Sequence, residues 1–361
     1  MRIGDREIHL ASEPYIIAEL GVNHDGSRSR AMELVETAHH AGADAVKLQW
    51  FETERLLSSA ARLAQYQQQA GVDDPFAMLR ALELGPHEMK TIVESAHGLG
   101  LHTIVTVFSL ELVGPADRLP WDAYKVASPD IINRPLIERL MSTGKPLLVS
   151  TGATDAEEIQ SVTQWLGSYP HVLLQCVSAY PTPDESAALA GILALSDAAP
   201  VPLGYSDHTT ATDTGALAVA AGASILEKHL TLDRSASGPD HATSLEPAQF
   251  AEYVKLARRA HAMLGDRTKR VLAIEQDVRA ASRQSLVVTR RLEPGHVIAR
   301  DDLTIKRPGI GIEPWRMDEI IGRRLARTVE ADTPLAARDL ETADPGEAQN
   351  TVTSISELGS R

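Results

Sequence analysis

The feature that most constrains the fold is a regular alternation of short apolar runs with longer amphipathic stretches, from residue 15 to about residue 263. Eight of the apolar runs have the length of buried strands, and the stretches between them have mostly helical periodicity. Repeated strand-helix units of this kind build a parallel sheet. Eight units are enough to close a (β/α)8 TIM barrel, and we predict that α/β fold for this part of the chain.

The predicted strands comprise residues 15–20, 45–49, 102–108, 123–127, 146–150, 172–176, 202–205 and 224–229. The predicted helices comprise residues 29–41, 86–99, 134–142, 156–166, 185–196, 212–221 and 247–264. The crossover over residues 109–119 is only weakly helical. Chemistry in such barrels gathers at the carboxyl ends of the strands, so polar residues at those ends are candidate site residues.

A different pattern begins after about residue 266, where short β-like runs are broken by turns. We therefore predict a barrel domain over residues 1–265, a linker over 266–282 that forms a surface helix or connector, and a small β-rich domain over 283–341. Residues 342–361 are rich in Ala, Glu, Ser, Thr and Gly and have little to bury. We expect this tail to be weakly ordered.

The composition excludes several classes of function. A formal net charge of −14 disfavours non-specific binding to nucleic acid or to anionic membranes, which requires a basic surface. The single cysteine, Cys176, rules out a disulfide framework, and a reducing cytoplasm is the expected compartment. No run is long enough to span a bilayer, and the first twenty residues lack the pattern of a signal peptide.

Two histidines, His208 and His229, end consecutive predicted strands. An imidazole pair with positions open to solvent suits a divalent metal ion that polarises a substrate carbonyl. The alternative is a pair of buried histidines held by hydrogen bonds. Their location where strand gives way to loop, beside Asp207 and Lys228, favours the functional interpretation.

Two lysines, Lys47 and Lys125, end other strands and are expected to point over the barrel mouth. Two ammonium groups there can hold a phosphate and a carboxylate in an otherwise acidic protein, although surface exposure is the commoner fate of lysine. Glu19 ends the first strand, where it either moves a proton or forms an ion pair with Lys47.

Two loops near these strand ends have more than one interpretation. The segment Ser150-Thr151-Gly152 precedes a helix whose N-terminal amides can attract phosphate, but capping of that helix equally explains Ser150 or Thr154. Asn23 and Asp25 either cap the helix that begins near Ser29 or take part in the site.

Seven short motifs together resemble the sialic acid synthase family, in order and in spacing. They are Ile17-Ala18-Glu19-Leu20-Gly21-Val22-Asn23-His24-Asp25-Gly26, Val46-Lys47-Leu48-Gln49, Tyr124-Lys125-Val126-Ala127-Ser128, Ser150-Thr151-Gly152, Tyr180-Pro181-Thr182-Pro183, Gly204-Tyr205-Ser206-Asp207-His208-Thr209 and Glu227-Lys228-His229. The small C-terminal domain, with Lys306-Arg307-Pro308-Gly309 and Ile321-Gly322, resembles the antifreeze-like (SAF) domain that follows the barrel in that family.

This resemblance implies a transferase that condenses phosphoenolpyruvate with an N-acylated amino-sugar aldehyde, N-acetylmannosamine or a relative. The products would be a nonulosonic (sialic-type) acid and phosphate. The residues that match the family's metal ligands are His208 and His229. The implied ion is Mn²⁺, with Mg²⁺ or Co²⁺ as other possibilities.

The resemblance also implies roles for individual residues. Residues that match the phosphoenolpyruvate site are Lys47, Lys125, Thr106, Ser128, Ser150 and Ser206, and those that match or adjoin the acceptor site are Gln49, Asp130, Ser178, Tyr180 and Asp240. Arg307 matches an arginine that reaches the active site of the other subunit, which implies a domain-swapped homodimer. A surface arginine in a turn is the alternative.

The sequence departs from the family pattern at Val107, where proline is usual, at Gln175, where histidine is common, and at Ser178, where asparagine is frequent. We expect these positions to lie beside the acceptor half of the pocket, which leaves the aldehyde open. A related synthase acting on another aldehyde is one alternative, and a pyruvate aldolase that forms a Schiff base on Lys125 is a second. A non-catalytic sugar-binding or ice-binding protein is a more distant third.

Overall fold

The computed structural model describes residues 1–9, 11–61, 74–265 and 268–342. The chain divides into two compact units, Met1–Asp266 and Arg267–Arg361. Of the predicted tail over residues 342–361, the structure describes only Thr342. Within the described ranges, no helix is both long enough and apolar enough to cross a membrane.

The first unit is a closed barrel of eight parallel strands, as predicted. Its strands follow a short antiparallel hairpin formed by β1 (Arg2–Ile3) and β2 (Arg6–Glu7). The barrel strands are β3 (Tyr15–Gly21), β4 (Ala45–Trp50), β5 (His102–Val107), β6 (Ala123–Val126), β7 (Leu147–Ser150), β8 (His171–Cys176), β9 (Leu203–Asp207) and β10 (Ile225–His229). Each strand pairs with the next, and β10 closes the ring on β3.

Helices surround the barrel, most of them on its outside, whereas Pro75–Leu82 lies at the carboxyl ends of the strands. They are Arg28–His40, Thr53–Leu56, Pro75–Leu82, Pro86–Gly98, Leu110–Asp117, Arg134–Met141, Ala156–Leu166, Gly191–Ala198, Thr214–Ala220 and Pro247–Leu264. Three single 3-10 turns, Ser128–Asp130, Asp184–Ser186 and His241–Thr243, lie in the loops.

Two of the predicted crossovers differ from the structure. The weakly helical stretch 109–119 contains a helix, Leu110–Asp117, whose Leu112, Val113 and Ala116 are buried even though Pro115 lies inside it. Tertiary packing outweighs the low local propensity there. The predicted helix 185–196 is instead a 3-10 turn, Asp184–Ser186, followed by a helix that begins only at Gly191.

The barrel interior has an apolar layer at one end and a polar layer at the other. Successive strand residues face opposite sides, so every second residue points inward. In β3 the inward positions are Tyr15, Ile17 and Glu19, while the outward Ile16 and Ala18 pack beneath the helices. The same order is seen in β7, where Leu148 precedes Ser150, and in β10, where Ile225 precedes Glu227 and His229.

The amino-terminal hairpin packs against the apolar end of the barrel. Ile3 and Ile8 are fully buried in the same cluster as the inward apolar residues of the strands. This burial removes that end from water. The polar layer therefore lies at the opposite end, where the strands terminate.

The second unit is small and β-rich, as predicted. It contains β11 (Ser285–Val288) paired antiparallel with β12 (Leu303–Lys306), and isolated bridges extend this pairing. Helices Gln276–Ser282 and Met317–Ile320 and the 3-10 turns Ala273–Glu275, Arg300–Asp302, Pro314–Arg316 and Ala337–Asp339 complete it. The unit has its own apolar core, built around Leu286, Leu325 and Leu335. The stretch predicted as a linker thus contains the helix Gln276–Ser282.

The close packing of the barrel interior generates a stability prediction at Gly204 in β9. A Cβ atom there would lie 2.3 Å from Leu174 Cδ2 and 2.6 Å from the Ile225 carbonyl oxygen. We expect Gly204→Ala to lower the free energy of unfolding by about 1–3 kcal/mol, because the neighbours must move. Denaturant titration of the purified variant measures this change.

Gly114→Ala is the matched control, since Gly114 lies in the helix Leu110–Asp117 with no heavy atom within 4 Å of its ideal Cβ. This variant should match the wild type or gain up to about 1 kcal/mol. Equal stability of the two alanine variants would contradict the packing argument.

Candidate active site

A cavity of about 230 Å³ opens at the carboxyl ends of the barrel strands. Most of the site residues predicted from the sequence line it: Lys47, Gln49, Thr106, Lys125, Ser128, Ser150, Tyr180, Ser206, His208, His229 and Asp240. They come from different strands and loops, and only barrel closure brings them together. The cavity has the size of a small polar metabolite or part of one.

Two buried lysines and Glu227 form the floor of the cavity, and the buried Glu19 lies behind Lys47. Lys125 Nζ donates to both carboxylate oxygens of Glu227, at 3.0 and 2.9 Å. Lys47 forms an ion pair with Glu19 and lies 3.7 Å from the nearest Glu227 oxygen. Lys47 Nζ also donates to Thr106 Oγ1 at 3.2 Å. The structural alternative for Glu19, an ion pair with Lys47, is therefore present in the protein.

Burial and the neighbouring charges shift the pKa of Lys47 and of Glu227. Burial lowers the pKa of Lys47 from 10.5 to about 8, against the opposing pull of Glu227. Burial alone would raise the pKa of Glu227, but Lys125 and Lys47 outweigh it and lower that pKa to about 2. Glu227 is thus a permanent carboxylate, whereas Lys47 is a cation that titrates just above neutral pH.

The two histidines predicted as metal ligands lie side by side, with ring centroids 5.6 Å apart. His208 Nδ1 donates to the Val177 carbonyl at 2.8 Å, which leaves Nε2 as the ring nitrogen available to a ligand. Burial, followed by the charges of His208 and Lys47, holds the pKa of His229 well below 6.5 and keeps that ring neutral. The buried His229 Nδ1 has no hydrogen-bond partner and lies 3.8 Å from Asp240 Oδ2.

These imidazoles fit a divalent cation as a pair of nitrogen ligands with further positions left for water or substrate. Among the described residues, no group of three or more His, Cys, Asp or Glu side chains is arranged to hold a metal ion. The Tyr180 ring lies close by, tilted 37° to the His208 ring, with the two centroids 4.1 Å apart.

Small side chains form a polar cradle around Gly152. Its N–H donates to Ser128 Oγ at 3.0 Å, and a Cβ atom at this position would lie 2.4 Å from Ser178 Oγ and 3.0 Å from Cys176 Sγ. Ser150 Oγ is buried nearby without a hydrogen-bond partner. Only glycine leaves room for these groups to lie so close together. Their hydroxyls can donate hydrogen bonds to the oxygens of an anion held by the lysines.

The helix that follows this cradle, Ala156–Leu166, has acidic side chains at its amino terminus. Asp155 accepts from the Glu158 N–H at 2.9 Å, and Glu158 accepts from the Asp155 N–H at 3.0 Å. This capping box, with Glu157 also in the first turn, places negative charge at the helix start. Capping by Ser150 or Thr154 is wrong, because Asp155 is the cap. The acidic side chains at the helix start disfavour phosphate binding by its amides.

A third group of atoms converges at the end of β3. Gly21 has φ +45°, and a Cβ atom there would lie 2.8 Å from Glu19 Oε1, 3.1 Å from Gln49 Nε2 and 3.5 Å from Asp240 Oδ2. One amide and two carboxylates thus surround a single point beside the imidazole pair. This arrangement suits the hydroxyl groups of a sugar-like molecule.

One wall of the cavity is apolar. Its residues are Val22, Met78, Leu79, Leu82 and Phe108. They belong to a small cluster that is separate from the main barrel core. An apolar wall facing a polar floor gives the cavity two chemically distinct sides.

Four predicted site residues are not among the described residues that line the cavity. Glu19 lies behind Lys47, and Ser178 lies at Gly152. Asp130 is in the 3-10 turn Ser128–Asp130, where burial raises its pKa to about 6. Arg307 follows β12 in the second unit and is exposed.

Asn23 and Asp25 neither cap the first helix nor line the cavity. Ser27 is the cap of Arg28–His40. Asn23 Nδ2 donates to the Leu230 carbonyl at 2.9 Å, and Asp25 lies 3.0 Å from His241 Nε2. Both residues tie the loop after β3 to the loop after β10.

Two of the departures from the family pattern do not face the cavity. Val107 is buried in the outer core, between β5 and the helices. The Gln175 side chain lies against Gly191 and donates to the Ala188 carbonyl at 3.3 Å. The expectation that these two positions lie beside the acceptor half of the pocket is wrong, because the strand period turns them outward.

Two titratable residues among the described residues that line the cavity were not assigned a role from the sequence. Glu227 is the common partner of both lysines, and Cys176 Sγ lies 3.8 Å from His208 Nδ1. Burial opposes a thiolate, but the His208 contact outweighs it and lowers the pKa of Cys176. A period of two residues counted from Ile225 to His229 would have placed Glu227 inward.

A closed barrel that gathers lysines and an imidazole pair into one cavity at its carboxyl end defines a TIM-barrel enzyme. The chain matches the model of the NeuB family over residues 34–269 and the model of the SAF domain over residues 283–341. The protein belongs to the NeuB family and carries an SAF domain after its barrel. The alternative of a non-catalytic binding protein is therefore wrong.

Similar proteins cover nearly the whole chain. The sequence is 36% identical over 343 residues to an uncharacterized protein of Methanocaldococcus jannaschii, covering 94% of this chain and 98% of that one. It is 35% identical over 336 residues to N,N'-diacetyllegionaminic acid synthase of Legionella pneumophila, covering 91% and 94%. The crystal structure of N-acetylneuraminic acid (sialic acid) synthetase from Leptospira borgpetersenii, 29% identical, has a TM-score of 0.71 and covers 77% of this chain and 94% of that chain.

The lowered pKa of Lys47 predicts pH-dependent anion binding. Because this pKa is about 8, raising the pH from about 7 to about 9 removes the proton from most Lys47 side chains. We expect the affinity for sulfate, whose own charge is constant in this range, to fall by up to about tenfold. Isothermal titration calorimetry with sulfate at the two pH values measures it.

Lys47→Met supplies the control for that titration. Without the titrating cation, sulfate should bind weakly at both pH values and with little difference between them. Wild-type affinity that does not change with pH would contradict the assignment.

Proposed function

We propose that the protein condenses phosphoenolpyruvate with the aldehyde of an N-acylated amino sugar to give a nonulosonic acid and inorganic phosphate. The observation that carries this proposal is the placement of a two-lysine anion floor beside an imidazole pair in one cavity. The names of the Legionella and Leptospira relatives, a legionaminic acid synthase and a sialic acid synthetase, support the same reaction class.

The anion floor would hold phosphoenolpyruvate. Lys47 and Lys125 can neutralise its phosphate and carboxylate, and Ser128, Ser150 and the Gly152 cradle can donate to the remaining oxygens. Glu227 keeps Lys125 in place through two hydrogen bonds, so little reorganisation accompanies binding. This arrangement would present C3 of the enol phosphate to the acceptor.

His208 and His229 would hold a divalent cation, which we propose to be Mn²⁺, with Mg²⁺ or Co²⁺ as substitutes. When bound, the cation supplies Lewis acidity for the aldehyde oxygen. The neutral state of His229 and the free Nε2 of His208 suit both rings to this role. Asp240, 3.8 Å from His229 Nδ1, would assist in orienting the acceptor.

Bond formation between C3 and the aldehyde carbon makes C2 electron-poor, and water adds there. The tetrahedral intermediate then loses phosphate and leaves the 2-keto acid. Glu19, whose Oε1 faces Gln49 and Asp240 at the end of β3, would orient that water and accept its proton. No covalent bond to the protein is needed.

The apolar wall supports an N-acylated acceptor. Val22, Leu82 and Phe108 offer a surface for an acyl methyl group, while Gln49 and Asp240 on the facing side offer partners for hydroxyls. A buried site for hydroxyl groups discriminates strongly against acceptors that lack them. A related synthase that uses a different aldehyde remains the alternative within the family.

A Schiff-base aldolase is disfavoured by the contacts of Lys125. A lysine nucleophile needs its Nζ free to attack a carbonyl carbon, but both oxygens of the Glu227 carboxylate accept hydrogen bonds from Lys125 Nζ. Borohydride reduction in the presence of pyruvate should therefore leave the protein unmodified.

We further propose a domain-swapped homodimer, in a reducing cytoplasm, in which Arg307 of each copy completes the acceptor site of the other. Arg307 is exposed, and a guanidinium suits the acyl and hydroxyl oxygens of a sugar. The buried, unpaired Cys176 thiol is compatible with a reducing compartment.

The proposed reaction is tested by phosphate release from phosphoenolpyruvate with a panel of hexosamines and their N-acyl derivatives. We expect release only with an acceptor and Mn²⁺, and a higher kcat/KM for N-acyl sugars than for the free amines. Chelation with EDTA should abolish the activity, and added Mn²⁺ should restore it. His208→Ala and His229→Ala should each lower kcat by about a hundredfold or more.

Full activity after exhaustive metal removal would refute the metal-dependent mechanism. Thr91→Ala, at a half-buried position of the helix Pro86–Gly98 outside the cavity, is a control that should leave the rate unchanged. Incorporation of tritium from borohydride with pyruvate would favour the aldolase instead.

The proposed dimer is tested by mixing two inactive variants. Arg307→Ala keeps an intact barrel but lacks the arginine, whereas Lys125→Met keeps the arginine but lacks an anion ligand. If each site combines both copies, mixed dimers regain one complete site, and an equal mixture should recover roughly a quarter of wild-type activity. Activity that stays at the level of the separate variants would contradict a shared site.

A further inference from the structure

A buried ion pair lies behind the imidazole pair, on the outer side of the barrel wall. Asp207 in β9 and Lys228 in β10 are register partners, and Lys228 Nζ lies 3.0 Å from Asp207 Oδ2. Both side chains are 0% exposed. Asp207 directly precedes His208, and Lys228 directly precedes His229.

The same two residues hold the turn that follows β9. Lys228 Nζ donates to the Thr209 carbonyl at 2.6 Å, and Asp207 Oδ1 accepts from the Thr209 N–H at 2.9 Å. His208 therefore lies between Asp207, which forms an ion pair with Lys228, and Thr209, which accepts a hydrogen bond from Lys228. The His208 carbonyl is also held, because it accepts from the Thr182 N–H at 2.8 Å.

Packing from the outer helix completes the enclosure of the pair. Tyr253, in the helix Pro247–Leu264, has its ring centroid 5.4 Å from Lys228 Nζ. Removing two charges from water is unfavourable unless the charges are paired and make further hydrogen bonds. Lys228 and Asp207 each make such a bond, to the Thr209 carbonyl and to the Thr209 N–H. A pair of apolar side chains would fill the same space but would not bind the Thr209 backbone.

We propose that Asp207 and Lys228 are positioning residues that set the spacing and orientation of His208 and His229 for a divalent cation. Side chains that orient metal ligands contribute to metal affinity without touching the metal. In this case the orientation acts through the backbone on either side of each histidine. The inference rests on the proposed function, which assigns the cation to the two imidazoles.

The test compares the binding of Mn²⁺ alone to the purified full-length protein with the stability of the same samples. Free Mn²⁺ is measured by electron paramagnetic resonance, and unfolding by denaturant titration. Lys228→Met should lower both the Mn²⁺ affinity and the free energy of unfolding, because it leaves the Asp207 charge buried and unpaired. The informative variant is Asp207→Asn combined with Lys228→Met, which removes both charges and retains an acceptor for the Thr209 N–H.

The double variant should recover most of the stability lost in Lys228→Met, while its Mn²⁺ affinity stays about 10–100-fold below that of the wild type. The matched control neutralises the partly buried pair of Arg6 and Asp44 with Arg6→Met and Asp44→Asn. That control should lower stability without changing Mn²⁺ affinity.

Wild-type Mn²⁺ affinity in the Asp207→Asn, Lys228→Met double variant would overturn the positioning role while leaving the proposed function intact. Equal loss of affinity in the Arg6 and Asp44 control would also overturn it, since general destabilisation would then be the cause. Unchanged Mn²⁺ binding in His208→Ala would instead refute the cation site itself, and this inference with it.

Discussion

The pairing of two lysine ammonium groups with two glutamate carboxylates inside the barrel is the interaction on which the site depends. Lys125 shares two hydrogen bonds with Glu227, and Lys47 pairs with Glu19. Withdrawing each ion from water costs several kcal/mol, and opposite charges at close range offset that cost. The floor is thus charged and ordered before any anion arrives, which is the condition for electrostatic preorganisation.

This charged layer depends in turn on the apolar layer beneath it. Inward residues such as Ile17, Leu148 and Ile225 fill the lower barrel, and Ile3 and Ile8 pack against them from the hairpin. The effective dielectric constant around the charges is therefore low, which strengthens their interactions and shifts the pKa of Lys47. The barrel keeps stability and chemistry at opposite ends of the same strands.

The eight strands were predictable because burial on both faces leaves short apolar runs in the sequence. Most helices were predictable because burial on one face leaves a helical period. The histidines and lysines were recognised because each ends such a strand. Glu227 was missed because its role depends on the lysines with which it pairs. These lie far from it in the sequence, and Lys125 is 102 residues away. Val107 and Gln175 were placed wrongly because motif matching ignores which side of a strand a residue faces.

The amino-acid sequence alone determined the order of strands and helices, the closure into a barrel and the set of polar residues at the strand ends. These follow from local periodicity, which needs no knowledge of distant contacts. Only the tertiary structure decided which lysine pairs with which glutamate, that Asp155 and Glu158 cap the helix after the cradle, and that Asp207 and Lys228 hold the histidine strands. Those outcomes depend on distances between residues far apart in the chain, which closure of the barrel sets.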